Sequence, residues 1–160
     1  FRRWRFLTKL MIENFNMKRL LGIMVLSLLL SMNSVKAYPF VKLEDYLTTN
    51  STEDPSISIY TFNRCAALSQ FISAISYERD KNLADKYQKR QFLFLTAAID
   101  LHKNLFKVSD DKAMADLTKV QRQIAELYKE EGNNSYIRTG SHLNSDLKSD
   151  LKICNYYIKD

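Results

Sequence analysis

The residues best equipped for chemistry in this chain are two histidines, His102 and His142, and two cysteines, Cys65 and Cys154. A zinc site gathers three or four ligands from His, Cys and carboxylates at recognisable spacing. No H-E-x-x-H and no paired-cysteine motif occurs here. Covalent haem attachment requires C-x-x-C-H, which is missing. An axial Met/His pair would have to use Met114, and nothing in the sequence sets it opposite His102. A di-iron bundle needs Glu-x-x-His on two helices, and neither copy is found. There is no glycine-rich phosphate loop, no G-x-S-x-G and no C-x-x-C. With three Gly in the chain, strained catalytic turns are hard to build.

The carboxylates add little. Glu126, Glu130 and Glu131, and then Asp146 and Asp150, are spaced like solvated helix faces with Arg122 and Lys129 as surface partners. His102 falls beside an apolar stripe and reads as a packed or boundary histidine. His142 reads as exposed near a helix start. The sequence therefore predicts no catalytic residue, no cofactor and no metal site. An enzyme with a dispersed site around His102 and a helix carboxylate is the competing reading. A polar cavity around His102 would favour it.

The elements that position these residues read as helices. After an arm and linker over 38–55, four helical segments follow. The first runs over 56–82, with Cys65, Leu68, Ile72 and Ile75 on one face. The second runs over 83–107. Its rows Phe94, Ala98, Leu101, Leu105 and Leu95, Ile99, Phe106 make a wide apolar face, predicting a well-buried helix. The third runs over 110–131, capped by Ser109 or Asp110 and stopped by Gly132. The fourth runs over 141–158, with Leu143, Leu147, Leu151, Cys154 and Ile158 as its stripe. No segment sustains strand alternation. The expectation is an all-α fold, an up-down four-helix bundle with short loops.

In such a bundle the first and fourth helices are antiparallel neighbours. Cys65 and Cys154 then fall within two helical turns of the same level, both on apolar stripes. A structural Cys65–Cys154 disulfide is predicted.

An oxidising compartment would support that bridge, and the start of the sequence points to one. Met17-Lys18-Arg19 is a short positive region. An uncharged apolar run from Leu20 to Met32 follows, then polar residues and Val35-Lys36-Ala37. This is the tripartite layout of a secretory signal over 17–37, with the cut between Ala37 and Tyr38. The apolar run is shorter than the ~20 residues that span a bilayer. Residues 1–16 open on Phe-Arg-Arg-Trp-Arg and read as non-native upstream or fragment sequence. An uncleaved signal anchor on a membrane-tethered accessory subunit is a further alternative.

The leader changes the meaning of the charge. The chain carries +6 overall, which would ordinarily suggest an acidic partner. Residues 1–37 hold seven Lys or Arg and one acid, while residues 38–160 hold 17 of each sign. The segment after the cut is neutral, unlike a general nucleic-acid binder. Membrane contact is expected only through the leader. Tyr60, Tyr77, Tyr87, Tyr128, Tyr136, Tyr156 and Tyr157 exceed what a small core requires, and tyrosine is favoured at interaction surfaces. Asn50-Ser51-Thr52 and Asn133-Asn134-Ser135 match the N-glycosylation pattern. The reading is an exported protein, periplasmic or secreted, that binds an unknown protein or small ligand of the envelope and is not an enzyme.

Overall fold

A computed structural model describes residues 40–50 and 53–158 of the chain. The signal, the cut at Ala37–Tyr38 and the 1–16 segment lie outside the described residues. From Phe40 onward the chain forms one compact unit. It is all-helical among the described residues: α1 Leu43–Thr49, α2 Pro55–Ser76, α3 Lys81–Phe106, α4 Asp110–Thr139 and α5 Ser145–Tyr157.

Short polar side chains start four of these helices by accepting from free first-turn amides. Asp54 accepts from the Ser56 N–H at 2.8 Å, with Pro55 at the first helical position. Asp80 accepts from Leu83 N–H at 3.0 Å. Ser109 accepts from Lys112 N–H at 3.3 Å, with Asp110 and Asp111 in the favoured acidic first turn. Asn144 accepts from Asp146 and Leu147 N–H at 3.0 and 2.9 Å.

Three boundaries differ from expectation. The first break falls at 77–80, because the Ser76 carbonyl accepts from Arg79 and Asp80 N–H and Asp80 then caps α3. The third helix does not stop at Gly132; it continues to Thr139 and ends on Gly140, which takes φ +73° and donates its N–H to Tyr136 O. Gly132 serves another purpose. The Phe71 ring of α2 packs where its side chain would be, so a Cβ would sit 2.3 Å from Phe71 Cζ. Finally, the last helix begins at Ser145, not 141, since Asn144 supplies the cap and Ser141 belongs to the preceding turn.

The buried centre is α2. It contacts α3, α4 and α5, and residues on every side of it are buried, including Ile57, Thr61, Asn63, Ala66, Ala67, Ser69 and Phe71. Small side chains at 66, 67 and 69 let neighbouring helices approach closely. The expected burial of α3 is corrected accordingly. Phe94, Ala98 and Ile99 are buried, but Leu105 and Phe106 are exposed, as are Phe92 and Leu93. Because α3 and α4 lie outside α2, each has an outward face.

Named contacts fix the relative directions. Ser73 Oγ donates to Ala84 O and Phe62 stacks on Phe94, so α2 and α3 run antiparallel. His102–Asp116 and Lys103–Asp110 make α3 and α4 antiparallel. Cys65–Cys154 and Phe62–Tyr157 make α2 and α5 antiparallel. Lys42–Asp146 at the start of α1, with Leu47 and Ile153 lining one groove further on, makes α1 parallel to α5.

Candidate interaction site

The Cys65–Cys154 disulfide is present, with its Cα atoms 5.5 Å apart, and joins α2 to α5. Both residues are buried, at 0% and 3% exposure, which suits a structural bond rather than an exchanging one.

Beside it lies a polar cluster that the sequence did not announce. Arg64 precedes Cys65 and Asp150 stands one turn before Cys154, so the bridge that joins the cysteines also brings these charges together. Asp150, expected on a solvated face, is 0% exposed. Its Oδ2 accepts from Arg64 Nη2 at 2.7 Å, Arg64 Nε at 3.1 Å and the Tyr128 hydroxyl at 2.6 Å. Its Oδ1 accepts from Leu43 N–H at 2.7 Å. Arg64 also donates to Tyr128 Oη at 2.9 Å, to Tyr60 Oη at 3.3 Å and to Val41 O. The Phe40 ring lies against the guanidinium, 5.0 Å from its centroid.

That enclosure shifts the titration of Arg64 and Tyr128. Burial opposes the charge on Arg64, but Tyr128, Asp150 and Tyr60 outweigh it and hold the guanidinium above its ordinary range. Burial also pushes the Tyr128 phenol well above its ordinary range, with Arg64 pulling back and Asp150 pushing further up. Every group in the cluster has a partner. It anchors the segment before α1 to α2, α4 and α5, and it leaves no open face for a substrate.

His102, the residue of the competing reading, faces one carboxylate. Its Nε2 stands 3.6 Å from Asp116 Oδ2, an ion-pair distance beyond a good hydrogen bond. Asp116 is engaged by Lys112, which with His102 holds its carboxyl below the usual range. The His102 ring tilts against Phe106 at 4.6 Å. His142 is not the exposed helix-start residue expected. It is half-buried in the loop before α5, stacked on Tyr136 at 4.4 Å, with its Nδ1 buried and without a hydrogen-bond partner. Among the described residues, no group of three or more His, Cys, Asp or Glu could hold a metal ion. Met114 is exposed on α4.

Surface grooves provide the remaining candidates. One of about 640 Å³ follows α4 past Asp111, Met114 and Arg122, and one of about 560 Å³ follows α3 past Asp85, Phe92 and Leu93. Each is lined by a single helix and is an open flank. The third, about 500 Å³, is built by two helices: Glu44, Leu47 and Thr48 from α1 face Ser149, Lys152, Ile153, Tyr156 and Tyr157 from α5. Leu47 and Tyr157 also line a smaller pit of about 70 Å³ with Ile57, Thr61 and Phe62 of α2. Tyr156 is 79% exposed and Tyr157 47%, their rings meeting edge-on at 5.7 Å. Ser149 donates to Glu44 and ties the upper end of the groove.

Of the tyrosines noted in the sequence, Tyr128 is consumed by the core, whereas Tyr156 and Tyr157 stand at this groove. No family model, curated protein or solved structure matches the chain. No helix among the described residues is long and apolar enough to cross a membrane.

Proposed function

We propose that this chain is an exported, non-enzymatic interaction protein of the cell envelope, periplasmic or secreted, whose α1–α5 groove receives a protein or small-ligand partner. The carrying observation is the groove built by two helices, ending in exposed Tyr156 and Tyr157 beside a small pit of mixed polarity. Exposed tyrosines beside a small recess resemble the anatomy of binding hot spots. Export is supported by the leader pattern over 17–37, and the buried disulfide is compatible with an oxidising compartment. The neutral balance of residues 38–160 favours a partner other than nucleic acid. The alternating directions of α2, α3, α4 and α5 fit an up-down four-helix bundle, with α1 laid alongside α5.

The test is site-specific photo-crosslinking from position 156 in the native envelope, compared with position 126 on an exposed helix face. A discrete adduct from 156 that is lost in Tyr157→Ala supports the groove. Equal patterns from both positions refute it. Intact mass of the exported product addresses the leader: a start at Tyr38 means release, and a retained leader means a tethered subunit.

A further inference from the structure

The Arg64–Tyr128–Asp150 cluster reads a piece of main chain. Asp150 accepts the Leu43 N–H at 2.7 Å, and Arg64 donates to the carbonyl of Val41, two residues earlier. Two side chains of the same segment complete the recognition. Phe40 covers the guanidinium and meets Tyr128 edge-on at 5.4 Å, and Leu43 is 0% exposed. This is how a protein holds a peptide: a main-chain donor and acceptor are paired, and side-chain pockets set the choice. Here the peptide is aromatic-x-x-leucine, and the chain supplies it to itself.

We propose that this cluster is a peptide-binding socket that a second copy of the chain can fill with its own segment from Phe40 to Thr49. Three observations favour exchange. The socket residues all lie on α2, α4 and α5, so the segment is a ligand of a frame it does not help to close. The disulfide loop spans Cys65 to Cys154, and the segment lies outside it, so it can leave without breaking a covalent bond. A seven-residue helix has little stability alone and gains its order only when seated. Leaving the socket open would expose a buried ion pair and the Leu43 pocket, which favours refilling over vacancy. Exchange of an identical element is a low-cost route to a dimer.

The inference is independent of the partner groove, although exchange would also make each groove composite, with α1 from one copy and α5 from the other. Two measurements test it. First, full-length Leu43→Asp, whose own segment cannot seat, is titrated with a capped synthetic peptide of residues 40–50. The expected result is a saturable rise in thermal midpoint of several degrees, absent for a peptide with Asp at position 43. The wild-type chain should resist the same peptide, because a tethered segment competes at a local concentration on the order of millimolar. Second, wild-type chain is unfolded with its disulfide intact and refolded over a hundredfold range of concentration that reaches the roughly millimolar scale set by the tether. A dimer fraction that rises with concentration, and mixes isotopically labelled with unlabelled copies, is expected. No midpoint shift with the peptide, or monomer at every refolding concentration, overturns the proposal. If Leu43→Asp does not fold, the refolding series alone decides it.

Discussion

Replacing Asp150 by Ala should be among the most damaging single changes available to this fold. The carboxylate accepts four hydrogen bonds, from Leu43 N–H, Arg64 Nε, Arg64 Nη2 and Tyr128 Oη. Its removal leaves the Arg64 guanidinium, itself 4% exposed, charged and without its counterion. Breaking one side of a buried pair costs about 3–5 kcal/mol. The lost Leu43 contact lies within that figure, since the interactions share one network. At about 4 °C per kcal/mol for a domain of this size, the thermal midpoint should fall by about 12–20 °C. The assay is thermal and urea unfolding followed by circular dichroism, with the disulfide intact. Glu126→Ala, which removes the exposed partner of Lys129, serves as the control and should leave the midpoint unchanged. The double replacement Arg64→Met with Asp150→Leu should recover part of the loss, because an apolar pair removes the unpaired charge but leaves Leu43 N–H and the Tyr128 hydroxyl without their acceptor. A loss below about 1 kcal/mol in Asp150→Ala would refute the reasoning, since that is the range of a solvated pair. So would a double variant as unstable as the single one.

Three further outcomes are expected. Gly132→Ala should destabilise, because overpacking costs about 1–3 kcal/mol against a helix-propensity gain of about 1 kcal/mol; Phe71→Leu in the same chain should relieve part of it in urea titrations. Cys65→Ala with Cys154→Ala should lower stability by about 2–5 kcal/mol while keeping helical content, read by the same titration. In alkaline solution the buried Tyr128 phenol should ionise only well above the ordinary phenol range, as followed by absorbance near 295 nm. Its folded pKa is raised, so the unfolded chain releases the proton first. The contribution is therefore complete below about pH 10 and is lost as pH rises beyond it.

Helical character was legible because it rests on local signals. Ser109, Asp110 and the spaced apolar rows of α4 and α5 state their structure in their own neighbourhoods. The disulfide was legible because antiparallel packing of two apolar stripes constrains both cysteines at once. What escaped depends on neighbours far away in sequence. Gly132 looks like a helix stop, and only the Phe71 ring explains why it sits inside one. Asp150 looks like a surface acid in a lysine-rich stretch, and only Arg64 beside Cys65 makes its burial tolerable. That pairing had a usable signal, since each charge lies within a turn of a bridged cysteine. The burial of α2 had a weaker one, in the small residues Ala66, Ala67 and Ser69. The Tyr156–Tyr157 groove was foreshadowed only by tyrosine abundance, because the position of α1 against α5 decides which tyrosines remain outside.

The central place of α2 bears on the order of synthesis. Ribosomes make α2 well before α5, so Arg64 emerges long before the carboxylate that neutralises it. Cys65 likewise waits for Cys154. Until α5 is made, α2 carries an unmatched cation among apolar side chains and cannot be enclosed in its final surroundings. α3 and α4 can pair against each other meanwhile, but the interior can be sealed only when the thirteen residues of α5 arrive. Early nascent chains should therefore be held open by their own electrostatics, and closure should be a late event coupled to the last helix.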